Sequence, residues 1–203
     1  NHLVVDGTFQ VARGAATMTD DVSVSAPGVL NGGSGLLALS GDWDVAGTFL
    51  TGSNGTVEIN DDCGSRDSAI LGGHAFANLT LTTATGKTFV FESGTTTTVA
   101  NHLVIAGSAR NAMPAVIRSD TPGNAASLAF TGTSQAVGLV DVEDVHATSK
   151  VLFADTGSVI GSNAPGWVVG AVVPAIGAVG TFAFAVLAVL GARRLLGVTG
   201  EAR

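Results

Sequence analysis

Short segments in which apolar and polar side chains alternate recur about every ten residues along most of this chain. In residues 55–60, for example, Val57 and Ile59 alternate with Glu58. The same pattern recurs in residues 78–83, 87–93, 95–107 and 127–132. A period of two places the apolar side chains on one face of a β-strand, and that face must be buried. We therefore expect an all-β body built from short strands.

Glycine, asparagine and aspartate separate these segments. The chain holds 28 glycines among 203 residues, about twice the usual share, and Gly32-Gly33, Asn54-Gly55 and Gly72-Gly73 stand between successive strands. Two architectures fit strands at this spacing. A sandwich or barrel buries its inner faces in one closed core, whereas a parallel β-helix (β-solenoid) stacks short strands coil upon coil.

Repetition favours the solenoid. Residues 1–8 (NHLVVDGT) and 101–108 (NHLVIAGS) share Asn, His, Leu, Val and Gly in place, and their differences keep the same pattern of size and polarity. We expect these two segments to be equivalent strands of one stacked array, roughly four or five coils apart at about 20–25 residues per coil.

The C-terminal part of the chain has a different character. Residues 168–192 contain no charge in 25 positions, and about 20 apolar helical residues span a membrane core. Trp167 precedes this stretch and suits the membrane interface, while Arg193 and Arg194 follow it and suit the cytoplasmic side. Pro174 lies near the outer end, where a freed carbonyl can still meet water. We expect one transmembrane helix, although a buried core helix is the alternative.

These features divide the chain into four parts. We expect a β-solenoid domain over 1–161, a linker over 162–167, a transmembrane or sorting helix over 168–192 and a cytoplasmic tail over 193–203. The body then lies on the extracellular or periplasmic side of a membrane. The first residue is asparagine rather than methionine, so we also expect an N-terminal truncation.

Charge and cysteine content exclude two kinds of site. The chain has a net charge of −7, and leaving out its three C-terminal arginines and one C-terminal glutamate gives −9 for the body. Because phosphate binding needs a basic face, we expect no nucleic-acid partner. The single Cys63 has no partner cysteine and no zinc-ligand spacing around it.

The densest acidic cluster is formed by Asp141, Glu143 and Asp144. On a strand, Asp141 and Glu143 project to one face, so the cluster could bind Ca²⁺ through carboxylate oxygens. Paired carboxylates also serve glycosidases and polysaccharide lyases, but a lyase needs a basic residue beside them, and only Lys150 is close in sequence. The third interpretation, which we favour, is a solvated outward face with no metal and no catalysis.

Two smaller candidates have structural explanations. Asp61 and Asp62 could bind calcium, but no Asp-x-Asp-x-Asp-Gly loop accompanies them, so we predict a turn. His2 and His102 occupy the same place in the two similar segments, on the opposite parity to the apolar residues. We predict that both are surface side chains, since no Ser-His-Asp order or Gly-x-Ser-x-Gly motif accompanies them.

Three stretches of the body resemble the strand modules of bacterial adhesin-like surface proteins with a parallel β-helix fold. These are residues 39–60, 76–108 and 116–167, which carry Gly-x-Trp-x-x-x-Gly-x-Phe, Phe-x-Asn-Leu-Thr and a closing Asn-x-x-Gly-Trp pattern. The likeness breaks at residues 61–74. The resemblance implies extracellular structural or adhesive work and supplies no catalytic residues.

The C-terminal segment is similar to the IPTL-CTERM and PEP-CTERM class of sorting signals. Residues 173–177 (VPAIG), an apolar run and the Arg193-Arg194 pair follow the family order of a proline motif, a helix and a basic cluster. This resemblance implies a transient anchor that a membrane-embedded sorting protease removes. A permanent single-pass anchor is the alternative.

Together these features predict an exported surface protein with a structural or adhesive role and no catalytic activity. The expected partners are membrane lipid, a sorting protease and a glycan or cell-surface ligand. Threonine-rich faces at 80–83 and 95–98 could contribute many weak contacts to such a ligand. The alternatives are a carbohydrate-active β-helix enzyme, or a subunit of a membrane complex whose helix packs through Gly170, Gly177 and Gly180.

Overall fold

A computed structural model of the chain describes residues 2–11, 13–62 and 67–170. In these residues the chain is all β, with 21 short strands and no helix. The strands are β1 (Leu3–Val5), β2 (Thr8–Gln10), β3 (Ala15–Met18), β4 (Val22–Val24), β5 (Val29–Asn31), β6 (Leu36–Leu39), β7 (Trp43–Val45), β8 (Thr48–Leu50), β9 (Thr56–Ile59), β10 (Ser68–Leu71), β11 (Ala75–Thr82), β12 (Thr88–Phe91), β13 (Thr96–Ala106), β14 (Ala115–Ser119), β15 (Ala126–Phe130), β16 (Ser134–Gly138), β17 (Val140–Val142), β18 (Val145–Thr148), β19 (Leu152–Ala154), β20 (Val159–Ile160) and β21 (Trp167–Val169).

The strands wind into a parallel β-solenoid whose coils cross three faces. Face A is an eight-stranded sheet in the order β1-β4-β7-β10-β12-β14-β17-β20. Face B begins with the three-stranded sheet β2-β5-β8. In later coils β15 and β18 take this position; they pair with each other, and β15 also pairs with the first half of β13, residues 96–99, so that both join the sheet of face C. Face C has the order β3-β6-β9-β11-β13-β16-β19-β21. All the named strand pairs are parallel, so the predicted solenoid is confirmed and an antiparallel sandwich does not describe these residues.

The length of a coil varies more than the repeat pattern predicts. On face A, Leu3 pairs with Val22 and Val22 with Trp43, so these coils take 19 and 21 residues. Phe91 pairs with Ser119, which is 28 residues later. The corners absorb the difference because only the strands must keep their register.

Inward columns of apolar side chains form the core. One column on face C runs through seven coils and joins Met18, Leu39, Ile59, Leu81, Ile105, Val137 and Ala154. From Leu39 to Ala154 these side chains are at most 5% exposed. Glu58 and Thr80, one position before two of them, lie on the outward side. The predicted period-two burial is therefore confirmed.

The two similar octapeptides do not occupy equivalent places. Leu3 lies in β1 on face A, whereas Leu103 lies in the second half of β13 on face C. The prediction that they are counterparts in one array is wrong. The shared pattern specifies an alternating strand and a turn, and either face can accept both. His2 and His102 are nevertheless exposed, as predicted.

A lysine lies inside the solenoid. The Lys87 side chain is 1% exposed, and its ammonium donates hydrogen bonds to the carbonyl oxygens of Ser40 (2.5 Å) and Asn60 (2.9 Å). These acceptors belong to earlier coils, so this one side chain connects parts of the chain that lie 47 and 27 residues away.

The solenoid continues through the segment predicted as a linker. Trp167 begins β21, is 6% exposed, and donates its indole N–H to the Val145 carbonyl oxygen at 2.8 Å. The amide of Leu152 donates to the Gly166 carbonyl oxygen at 3.0 Å. Hydrogen bonding to the preceding coil therefore orders 162–167, and the solenoid extends beyond residue 161 to at least Val169.

Two glycines with the same backbone conformation test how closely the coils approach. Gly166 has φ 83° and Gly123 has φ 82°. A Cβ on Gly166 would lie 2.1 Å from the Ala147 carbonyl oxygen, whereas a Cβ on Gly123 would meet nothing within 4 Å. Both Gly→Ala changes incur the left-handed backbone cost of about 1–2 kcal/mol. We expect Gly166→Ala to lower the free energy of unfolding by about 1–3 kcal/mol more, because of the clash.

Urea unfolding followed by tryptophan fluorescence measures this difference. The chain has no tyrosine and two tryptophans, and Trp167 adjoins the crowded glycine. Equal losses in the two variants would show that the close approach at Gly166 does not limit stability.

Candidate functional site

The predicted acidic cluster lies on the outward side of face A, where β14 and β17 are neighbours. Ile117 pairs with Val142 and both side chains are fully buried, so the flanking Asp141 and Glu143 point away from the core. Arg118 lies between the two carboxylates. Its Nη2 is 2.9 Å from Asp141 Oδ1, and its Nε is 3.8 Å from Glu143 Oε2.

Arg118 is the basic partner that the sequence does not reveal. Only Lys150 is near the acids along the chain, but its ammonium donates hydrogen bonds to the carbonyl oxygens of Thr131 (3.0 Å) and Gly132. Arg118 is 23 residues before Asp141 and reaches it because one coil returns the chain to face A. The Arg118–Asp141 pair could be predicted from the sequence only if the number of residues in that coil were known.

Asp144 serves the corner that follows β17. Its φ of 57° is left-handed, and the residue is 8% exposed. Asp144 Oδ2 accepts from the Gly123 amide and Oδ1 from the Asn163 side-chain amide, both at 2.8 Å. The Gly123 amide and then the Asn163 amide lower the pKa of Asp144 below its ordinary value of 3.8. This carboxylate therefore holds adjacent coils together.

The three predicted calcium ligands are thus all bound by protein donors. Asp141 pairs with Arg118, Asp144 accepts two amides, and Glu143 Oε1 accepts from the Ser162 hydroxyl at 2.6 Å. A cation at this place would compete with the Arg118 guanidinium, and the favoured interpretation without a metal stays a prediction, with calcium as the alternative. A groove of about 550 Å³ adjoins the cluster. It is lined by Arg118, Ser119, Pro122, Gly123, Glu143, Asp144, Ser162 and Asn163.

A second group of possible ligands lies in the first coils. His2 Nδ1 is 3.2 Å from Asp21 Oδ2, and the ligand atoms of His2, Asp20 and Asp21 all lie within 4.8 Å of one another. Asp21 also accepts the backbone amide of Asp42 through Oδ1 at 2.7 Å. At least one carboxylate of this group therefore has a structural role between coils.

Carboxylates that accept backbone amides from a neighbouring coil recur along the described chain. Asp21 accepts from Asp42, and Asp42 in turn accepts from Ala69. Distances from carboxylate oxygen to amide nitrogen in this set range from 2.7 to 3.2 Å. Its members are Asp21, Asp42, Asp61, Asp67, Glu92, Asp120, Asp144 and Asp155. We call these eight residues the capping carboxylates.

The body has more acidic than basic residues, and the capping carboxylates show that many of the acidic residues hydrogen-bond one coil to the next. This role was not predicted from the sequence. A signal for them exists, because Asp21, Asp42 and Asp67 each immediately precede a face A strand. Aspartate is a strong acceptor for turn and corner amides. An aspartate directly before three of the eight strands of one face thus indicates capping as well as solvation.

The predicted turn at Asp61 is confirmed. Asp61 Oδ2 accepts from the Thr83 hydroxyl (2.6 Å) and from the amides of Ala84 and Thr85 (2.8 Å each). Burial raises the pKa of Asp61, but these hydrogen bonds lower it more, so the net pKa lies below 3.8. Asp62 accepts the Asn60 side-chain amide at 3.0 Å in the same corner.

Acid should weaken the solenoid through the capping carboxylates. Hydrogen bonds hold the pKa of Asp61, Asp120, Asp144 and Asp155 below 3.8. A carboxylate with a lowered folded pKa stabilises the fold above its unfolded pKa, and this stabilisation disappears as the pH falls through the folded pKa. We expect a nearly constant free energy of unfolding above about pH 5 and a decline below about pH 4.

Substitutions at Asp155 and at a control position, Asp44, test this prediction. Asp155 Oδ1 accepts from the Leu139 amide (2.9 Å) and the Ser158 hydroxyl (2.8 Å). Asp155→Asn should cost about 1 kcal/mol at pH 7 and reduce the decline in acid, since an amide oxygen accepts more weakly than a carboxylate. Asp44→Asn, on an exposed outward position of β7, is the control. Identical pH profiles for Asp155→Asn and the unmodified chain would contradict the capping role.

The predicted membrane-anchor residues fall into two groups. Trp167 packs in the solenoid core, while Pro174, Arg193 and Arg194 lie outside the described residues. Val168 and Val169 are part of β21, so the predicted helix cannot begin before Gly170. Within the described ranges, no helix has the length and apolar character needed to cross a membrane.

Comparison of the chain with protein-family models, with curated proteins and with solved structures found no match. The parallel β-helix implied by the resemblance of the strand modules is confirmed for the body by the structure itself. The adhesin and sorting-signal parts of that resemblance stay predictions.

Proposed function

We propose that this chain is an exported cell-surface protein, anchored in or sorted at a membrane, with a structural or adhesive role and no catalytic activity. One observation carries the proposal. A parallel solenoid that reaches Val169 is followed in the sequence by an uncharged run through residue 192 and then by Arg193 and Arg194. A hydrogen-bonded scaffold joined to a membrane-length apolar stretch is suited to presenting a surface outside the cytoplasm.

The outward faces support an adhesive role. Ser127, on face B, pairs with Thr96 on one side and His146 on the other, and Thr98 on the same face pairs with Ala129. Uncharged hydroxyl side chains, Thr96 and Ser127, thus lie side by side on adjacent strands, about 4.8 Å apart, with Thr98 two residues from Thr96. Many weak contacts with a glycan or another cell surface would then add up through multivalency.

Cell fractionation tests the anchoring. The full chain, fused to an export signal in a bacterial host, should sediment with membranes and need detergent for release. A variant that ends at Gly170 should be exported but stay in the soluble fraction. Equal membrane association of both proteins would overturn the proposed anchor.

Mass spectrometry of the surface form distinguishes a sorted from a permanent anchor. In a host with a C-terminal sorting protease, removal of residues 193–203 supports sorting. An intact Arg203 on the purified surface form supports a permanent anchor instead.

A carbohydrate-active enzyme is the second candidate, because Arg118 lies beside Asp141 and Glu143 at the edge of a groove. A guanidinium next to two carboxylates could bind and polarise an anionic polysaccharide. Degradation of such a polymer by the full chain, lost in Asp141→Ala and Glu143→Ala but kept in Asp44→Asn, would establish this activity. Unchanged degradation in all three variants would remove this candidate.

A further inference from the structure

One outward column on face C becomes apolar toward the C-terminal coils. Glu58 pairs with Thr80 and Thr80 with Val104, which pairs with Ala136. Because Val137 pairs with Ala154, Ala136 adjoins Phe153, and Phe153 pairs with Val168. A column that carries a charged side chain at Glu58 therefore reaches Phe153 and Val168 in the last described coils.

The end of this column belongs to a contiguous exposed apolar surface. Val151, Phe153 and Val168, the terminal patch, are each 41–48% exposed and share the outward side, since the intervening Leu152 and the adjacent Trp167 are buried. Phe153 and Val168 are neighbours across the β19–β21 pair. Single exposed apolar residues are ordinary on a protein surface, but a contiguous group indicates an interaction site.

The outward strand positions beside the terminal patch carry no charge, while the neighbouring, exposed Lys150 directs its ammonium to the Thr131 and Gly132 carbonyl oxygens. The outward positions of β16, β19 and β21 are occupied by Ser134, Ala136, Gly138, Phe153 and Val168, and none of them is charged. The nearby Asp155 directs Oδ1 to the Leu139 amide. The absence of charge on these three strands reduces the desolvation cost of contact with an apolar partner.

The sequence that follows identifies the partner. Val168 and Val169 are the first residues of the uncharged run, and Gly170 alone separates β21 from residue 171. If that run spans a membrane, the chain offers no polar spacer between the last coil and the bilayer surface. This step rests on the proposed function.

We propose that the terminal patch lies against the lipid at the outer membrane interface, so that the solenoid contacts the bilayer through the C-terminal end of face C. Phe153 supplies an aromatic ring of the kind that membrane interfaces favour. Burial of the patch in the interface would also cover apolar surface that water otherwise contacts.

Fluorescence quenching in vesicles tests this contact. The full chain carries Cys63→Ser and one new cysteine labelled with an environment-sensitive fluorophore, in phosphatidylcholine vesicles with headgroup- or acyl-spin-labelled lipid. With the label at Phe153→Cys or Val168→Cys, we expect a blue-shifted emission and at least about twofold quenching by spin-labelled lipid.

Two controls fix the geometry. Thr80→Cys lies on the same column three coils away, about 14 Å at 4.8 Å per strand. Thr148→Cys lies in the same coil as Phe153 but on face B. We expect quenching at neither control position.

The outcomes separate this inference from the proposed function. Chain that floats with the vesicles but shows no quenching at Phe153→Cys and Val168→Cys would overturn the lipid contact and leave the anchor intact. A blue-shifted emission without quenching by spin-labelled lipid would show that a protein, such as a second copy of the chain, covers the terminal patch. That result would also overturn the lipid contact. Equal quenching at Thr148→Cys would show that the whole end of the solenoid contacts the lipid. That result would overturn the assignment of the contact to face C. Chain that does not float would overturn the anchor and the contact together.

Discussion

Leu81→Ala is expected to lower the free energy of unfolding by about 2–5 kcal/mol. Leu81 is fully buried in the face C column, between Ile59 on one side and Ile105 on the other. Removing its side chain loses the transfer free energy of three carbon atoms and leaves a cavity that the stacked strands cannot close, because their spacing is fixed by hydrogen bonds. Urea unfolding followed by tryptophan fluorescence measures the loss.

Thr80→Ala is the matched control, one residue earlier on the outward side of the same strand. We expect a loss of no more than about 1 kcal/mol, the span of strand propensity at a surface position. Similar losses at positions 80 and 81 would contradict the alternation of inward and outward side chains on which the fold description depends.

Lys87→Met is expected to lower the free energy of unfolding by about 2–4 kcal/mol. Methionine keeps the length of the side chain but cannot donate to the Ser40 and Asn60 carbonyl oxygens, and each buried acceptor left without a donor costs about 1–3 kcal/mol. Methionine carries no charge, so the variant avoids the desolvation cost of burying an ammonium. This gain offsets part of the loss. Thermal and urea unfolding at pH 7 measure the net effect.

Lys150→Met provides the comparison, since Lys150 also donates to two carbonyl oxygens but is exposed to water. Water can replace its ammonium at these carbonyls, so we expect a loss of less than about 1 kcal/mol. A Lys87→Met variant as stable as the Lys150→Met variant would show that the buried ammonium contributes nothing to the fold.

Whether a strand side chain points inward or outward was predictable from sequence, because it depends only on its alternation with the adjacent residues of the same strand. Val57 and Ile59, or Phe89 and Phe91, fall on one side of a strand wherever that strand lies. The resemblance then indicated stacking, whereas the two similar octapeptides that also favoured it lie on different faces. Which strands stack was not predictable, because coils of 19 and 28 residues are closed by corners whose lengths carry no periodic signal.

The same limit explains the candidate site. Asp141 and Glu143 were identified as an outward acidic pair, but Arg118 lies one coil away and follows only from the register between β14 and β17. Lys87 was missed because a lone lysine in a polar turn region predicts exposure, and its acceptors are backbone carbonyls that no side-chain pattern reports. Trp167 was assigned to a membrane interface for its amphipathic ring, which also suits a core position with one hydrogen bond.

The parallel stacking has a mechanical consequence for a chain held at its C-terminal end. Backbone hydrogen bonds join each coil to the coils before and after it, so tension on the polypeptide beyond Gly170 loads the bonds of β21 and β20 before those of earlier strands. Val142 and Ile160 are 18 residues apart, and the release of one such coil lengthens the tether by about 60 Å at 3.3–3.6 Å per residue. Single-molecule stretching should show extension steps of roughly that size, by which the protein absorbs force while its remaining coils stay folded.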